Sequence, residues 1–236
     1  MKVTVNEVRG ARPEGTAATT ARSLPAREKL MRTAERLYAV EGFANVSVRK
    51  ISEAAGQRNK SAVQYHFSGR DELIKAILAE HANAIEKHRT AMTASLGPPS
   101  EMSPRERMDF FVLPHVEHHI ELGTPSWYGR FLAQVIVEPT LRQYAVEAHL
   151  NTPSLGSLHA YTQREHRNHD PELYAQHGVM VRQLIVHMCA EIETDLARGE
   201  ISGAEAERSW RRLGTNLTVA VHGLTTALLG DTHHAW

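Results

Sequence analysis

Between Asn59 and Phe67 the segment NKSAVQYHF places Lys60, Ser61, Gln64 and Tyr65, all able to donate or accept hydrogen bonds, beside the apolar pair Val63 and Phe67. Four residues apart, Val63 and Phe67 share one face of a helix, and small residues at Ser61 and Ala62 let such a helix come close to base edges. Groups of this kind can meet phosphates and read bases in a DNA groove. A second grouping is His115, His118 and His119 in LPHVEHHIEL, within a complement of 15 histidines. On a helix His115 and His119 share a face and, with Glu121 or a residue from another helix, offer ligands to a metal ion. Glu117 falls in the wrong place for the HExxH order of a zinc hydrolase, and no glycine-rich phosphate loop or nucleophile elbow occurs. No catalytic residue, metal ligand or cofactor is assigned. A metal-binding helical protein, or a metal-dependent enzyme using His115, His118 and His119, stands as the alternative.

The elements that must position the first group are three helices. Leu30, Ala34, Leu37 and Tyr38 recur at helical spacing from Pro25 or Ala26 to about Val40, with Gly42 as a stop. Ser47 is an N-cap for a short helix carrying Val48, Ile51, Ala54 and Ala55 and closed by Gly56. Asn59 is a cap for the third helix. Two short helices joined by a glycine turn, the second opening at a capping residue, form a helix-turn-helix. After Ser68-Gly69, Asp71 and Glu72 open a longer helix with Leu73, Ile74, Ile77, Leu78 and Ile85, which runs to Met92–Leu96 and breaks at Gly97-Pro98-Pro99. Beyond the break, helices are expected near 104–122, 125–149, 155–165, 171–198 and 204–229, with Pro114 and Pro139 starting or kinking helices.

Charge separates the two parts. The net charge is +0, yet residues 1–70 carry 13 Lys and Arg against 6 Glu, leaving 14 basic and 21 acidic residues in the remainder. A basic front on an acidic body suits a polyanion at the front only. With 42% hydrophobic and 23% charged residues, a chain disordered throughout is excluded. The apolar-leaning run Leu217–Leu229 contains His222 and three threonines and is too short to span a bilayer, so no membrane association is expected. Residues 1–20 lack the apolar core of a secretory signal, and Cys189, the single cysteine, fits a reducing cytoplasm.

The combination REKLMRTAERLYAVEGF, SVRKISEAAG and SAVQYHF, followed by a short turn and DEL, resembles the tetracycline-repressor (TetR) family of bacterial transcription regulators over about residues 26–78. The resemblance implies that Lys60, Ser61 and Ala62 lie nearest the bases, with Arg49 as a further contact, while Gln64, His66 and Arg70 face the phosphate backbone. Two departures from the family pattern stand out: the stretch from Gly56 to Phe67 is one residue longer, and Gln64 replaces a frequent tyrosine. The resemblance also implies a homodimer through the last two helices. Val179, Leu184, Ile185, Met188, Ile192 and Leu196 make one stripe, and Leu213, Leu217, Val221, Leu224 and Leu228 another. Such a dimer offers two reading helices to successive major grooves of a palindromic operator.

The expected architecture is all-α: a flexible basic arm (1–24), a helix-turn-helix DNA-binding domain (25–70), a connecting helix (71–96) and a helical effector-binding and dimerisation domain (97–236). Candidate lining for an unknown small-molecule effector is Phe110, Phe111, His115, His119, Trp127, Tyr128, Phe131 and Gln134, aromatic area with a few polar handles.

Overall fold

Glycine and proline punctuate this chain, and many of the helices of the computed structural model, which describes residues 16–230, begin or end at them. The first, α1 (Thr16–Glu41), stops at Gly42, whose φ of +79° is open to glycine at little cost, and a 3-10 turn follows at Phe43–Asn45. Next come α2 (Val48–Ala54), α3 (Ala62–Phe67) and the long α4 (Arg70–Leu96). Six more helices complete the described residues: α5 (Pro104–Leu122), α6 (Tyr128–Val137), α7 (Pro139–Leu150), α8 (Pro153–Glu165), α9 (Pro171–Arg198) and α10 (Gly203–Leu229). No strand occurs among the described residues. Proline opens α5, α7, α8 and α9, where its missing N–H has no helical partner to lose. Ser103 and Glu106 form a reciprocal capping box on α5, and Asp170 caps α9 through the Glu172 N–H.

Several boundaries differ from the sequence expectation. Residues 1–15 of the expected arm lie outside the described residues, and α1 opens at Thr16 rather than near Pro25, in a stretch containing Ala17, Ala18 and Ala21. The single helix expected over 125–149 divides at Glu138, which is extended (φ −85°, ψ 119°) because Pro139 disfavours helical backbone in the residue before it. Pro139 starts α7 as expected, whereas Pro114 lies inside α5 and is buried there.

Three apolar clusters hold the helices together. The first joins α1, α2, α3 and the start of α4 through Leu30, Tyr38, Ile51, Val63, Phe67, Leu73 and Ile77, and continues into α6 and α7 at Phe131, Val135 and Leu141. The second lies between α5, α9 and α10. Ile185, Leu196, Leu213, Leu217 and Val221, expected at a dimer interface, are buried in it within one chain, because α10 packs against both α5 and α9. The third contains Met102, Phe110, Leu155 and Leu158.

Helix α6 has no side-chain cap of its own, and α9 supplies one. Glu193, 1% exposed, accepts hydrogen bonds from Ser126 Oγ (2.8 Å), the Gly129 N–H (3.2 Å), the Arg130 N–H (2.9 Å) and Arg130 Nε (3.1 Å). The carboxylate thus satisfies two orphan amides at the positive end of α6, and Arg130 balances its charge. Gly129 lets the two helices come this close: a Cβ there would lie 3.2 Å from the Cys189 carbonyl oxygen.

Candidate nucleic-acid interface and buried polar cluster

The Ser47 hydroxyl accepts the Lys50 N–H and fixes the start of α2, while Gly56 (φ +66°) turns the chain out of it. Asn59 is not the cap of the third helix. Its side chain accepts the Ser61 N–H at 2.9 Å in an Asx turn, and the helix begins at Ala62. Val63 and Phe67 are buried against α1, α2 and α4, as their spacing indicates.

That docking leaves Arg49, Lys60, Ser61, Gln64 and Tyr65 exposed. Arg49 and Lys60 side chains are 65% and 62% accessible, and Tyr65 is 69% exposed despite its large ring. Glu53, which sequence reasoning did not single out, lies among them: it accepts from Arg49 Nε at 2.9 Å and sits 3.7 Å from Lys60 Nζ. The Arg49 hydrogen bond holds its carboxyl below the usual range. Its spacing of four from Arg49 was the available signal.

Three expected contacts change. Ala62 is 4% exposed and belongs to the apolar cluster, since with the helix starting at this residue its methyl turns inward beside Val63. Arg70 remains exposed, but its guanidinium donates to the Phe43 carbonyl at 3.0 Å and lies over the rings of Tyr38 and Phe43, tying α4 to the 3-10 turn. Gln64 donates to the Ser68 carbonyl at 3.1 Å, where Ser68 takes a left-handed φ of 59°. His66 is half-buried, and desolvation followed by the nearby Arg27 charge pushes it below its ordinary value.

The candidate effector residues do not form one wall. Phe131, 0% exposed, packs against the stacked rings of Tyr38 and Phe43 with centroids 6.3 Å and 5.9 Å away, and is core. Trp127 is the N-cap residue of α6 and packs on the same cluster. Phe110 is buried in the third cluster, Phe111 lies beside the second and third, and Gln134 is exposed near Gly42.

His115, His119 and Tyr128 do come together, joined by His118 and by residues not singled out from the sequence: His81 and Arg89 of α4, His149 of α7 and Trp210 of α10. His81 Nδ1 lies 2.8 Å from His118 Nε2, Arg89 Nη2 3.0 Å from His115 Nε2, and Tyr128 Oη 3.3 Å from His149 Nε2. Tyr128 stacks on His81 at 3.8 Å and His119 on Trp210 at 4.5 Å. His81 Nε2 is 3.3 Å from Glu35 Oε2, an ion-pair distance without hydrogen-bond alignment. Burial drives His118 down to about 2, His119 and His149 to about 3, and His115 well below its ordinary value, so these four rings are neutral at pH 7. Among the described residues no set of three or more His, Cys, Asp or Glu is placed to hold a metal ion, so the geometry does not favour the metal alternative. Nor is any described helix long and apolar enough to cross a membrane.

Residues 30–77 match the family of bacterial regulatory proteins, tetR family. No curated protein matches the chain in sequence. Among solved structures, the fatty acid degradation regulator FadR from Bacillus halodurans aligns at 15% identity over 89% of this chain and 98% of its own, with a TM-score of 0.50. A putative TetR-family transcriptional regulator from Rhodococcus sp. aligns at 19% identity over 82% of this chain and 99% of its own, with a TM-score of 0.48. A TetR family transcription regulator from Marinobacter aquaeolei VT8 aligns at 15% over 83% and 97%, with a TM-score of 0.49. At such identities the Bacillus halodurans likeness concerns the fold alone.

Proposed function

We propose that this chain, whose residues 30–77 match the tetR family of bacterial regulatory proteins, is a homodimeric cytoplasmic repressor that binds a palindromic operator until a small effector held in the helical body releases it. The observation that carries this reading is the outward row Arg49, Lys60, Ser61, Gln64 and Tyr65 on a helix-turn-helix whose inner face is fully docked. Cations and hydrogen-bonding groups on a rigid base can enter a major groove without distorting the domain. A dimer through α9 and α10 draws support from apolar side chains left outside: Val179 (44%), Met180 (43%) and Met188 (40%) on α9, and Val219 (56%) on α10.

Release requires a link between body and reading head, and α6 is suited to provide one. At its start Tyr128 stacks in the polar cluster, and one turn on Phe131 packs against Tyr38 and Phe43 of the DNA-binding part. A second link runs from Tyr144 Oη of α7 to the Asp71 carboxylate at the head of α4, 3.1 Å away, with Lys75 over the tyrosine ring. A ligand that binds one arrangement of the cluster better than another shifts the population of α6 and α4 positions, and so the spacing of two reading heads. Selection from a pool of random duplexes tests the reading. Recovery of one short palindrome is expected; indiscriminate recovery at all salt concentrations would contradict it.

A further inference from the structure

Arg89 is a charge that the fold buries without a full set of partners. The side chain is 0% exposed, and although burial pulls it down to about 10 it stays protonated at neutral pH. One of its N–H groups donates, from Nη2 to His115 Nε2 at 3.0 Å, which requires the His115 proton to sit on Nδ1. Nε and Nη1 have no hydrogen-bond partner. Glu86 Oε2, itself buried and without a hydrogen-bond partner, lies 3.9 Å from Nη1, at ion-pair distance but beyond hydrogen-bond reach, and the other Glu86 oxygen is taken by the Ser154 N–H at 2.8 Å. The surrounding rings add no countercharge, since His115 and His149 are neutral and burial raises Tyr128 so that it keeps its proton. Buried donors on a charged group call for anionic acceptors.

Along the same two helices the neighbouring side chains then turn apolar. Met92 and Leu96, on the turns of α4 after Arg89, and Phe111, one turn before His115 on α5, pack with Phe110 and Leu158. Charge at one end and apolar side chains at the other suit a two-part ligand.

We propose that the body binds, as its effector, a small organic anion whose oxygens accept from Arg89 Nε and Nη1 and whose apolar part lies along Met92, Leu96 and Phe111. This rests on the reading of the body as an effector-holding domain and narrows its chemistry. Helix α8 packs along α4 here, its Ser154 amide held by Glu86. Carboxylate and phosphate head groups share the required acceptor chemistry, and the test separates them.

The full chain is titrated by calorimetry with octanoate, octyl phosphate, octan-1-ol and inorganic phosphate, for wild type, Arg89→Met and Arg89→Lys. Saturable binding is expected for octanoate or octyl phosphate, whichever head group the site takes, and at least tenfold weaker binding for octan-1-ol and for inorganic phosphate. Arg89→Met, which keeps a side chain of similar length and removes the charge and its donors, should lose at least tenfold in affinity while retaining wild-type helical content. If Arg89→Met fails to fold, Arg89→Lys, which keeps the charge but offers fewer donors, carries the test with a several-fold loss. Binding of neither anion, octan-1-ol binding as tightly as the anions, or unchanged affinity in the folded variants would overturn the proposal. Operator binding measured alongside separates the two readings: operator release by octan-1-ol alone would keep the effector reading and overturn the anion. An anion that binds through Arg89 yet leaves operator affinity unchanged would support the site and count against its role as effector.

Discussion

The two halves of α4 bury opposite kinds of residue. Toward its start Leu73, Ile74, Ile77 and Leu78 are all 0% exposed and close the helix-turn-helix with apolar contacts. Further along, His81 (2% exposed) and Arg89 (0%) face His118, His115 and Tyr128 instead. An apolar core is close-packed and satisfied whatever the solution holds. A buried polar core is stable only while its hydrogen bonds and protonation states are right, so it responds to pH and to anything that supplies a missing partner. The first half of α4 thus depends on close packing alone, and the second half on partners and protonation states as well.

The contrast breaks hardest at its apolar end. Phe67→Ala removes a 5% exposed ring beneath α3, and a loss of about 3–5 kcal/mol in unfolding free energy is expected by denaturant titration, with DNA binding lost alongside. A loss below about 1 kcal/mol would mean that α3 is not held by this core.

Acid should strike the other end. Unfolded histidines take up protons near pH 6.5, whereas His118, His119 and His149 resist until about 2 to 3. Between those limits the unfolded chain binds more protons, so stability is fully present above pH 6.5 and falls as pH drops toward 3. At pH 5 each ring should cost about 2 kcal/mol relative to pH 7.5. Trp210, stacked on His119, gives a fluorescence signal from this region. A melting temperature unchanged from pH 7.5 to 5 would contradict the buried, neutral state of the rings.

The smallest expected effect is at the surface. Glu53→Gln releases Arg49 and Lys60 from their shared carboxylate, so duplex binding should tighten modestly and become more salt-dependent. Weaker binding would show that Glu53 orders those cations for the groove.

The same contrast governs what could be read from the sequence. The DNA-binding part was legible because its signals are local: the stops at Gly42 and Gly56, the cap at Ser47 and the pair Val63 and Phe67 four residues apart. Local signals misled at Asn59, which can cap a helix or make an Asx turn with nearly the same neighbours, and so Ala62 was set outside rather than in the core. Arg70 makes a contact that no local pattern announces, because its partner, the Phe43 carbonyl, is remote in sequence. In the body, prolines marked most helix starts, but the polar cluster draws His81, Arg89, His115, His149 and Trp210 from four helices, and no short-range pattern joins them. One trace was present: His81, Ile85 and Arg89 repeat every four residues on the apolar stripe of α4, so two polar residues occupy core positions.

The central claim is that the exposed row of the helix-turn-helix reads an operator, and a salt titration of operator against unrelated duplex tests it most directly. For Lys60→Ala and Tyr65→Ala, with helical content and melting temperature unchanged, operator affinity should fall by about 1 kcal/mol or more and the Lys60→Ala salt slope should become shallower by about one unit. Wild-type affinity and slope in both variants would contradict the assignment of this face to DNA.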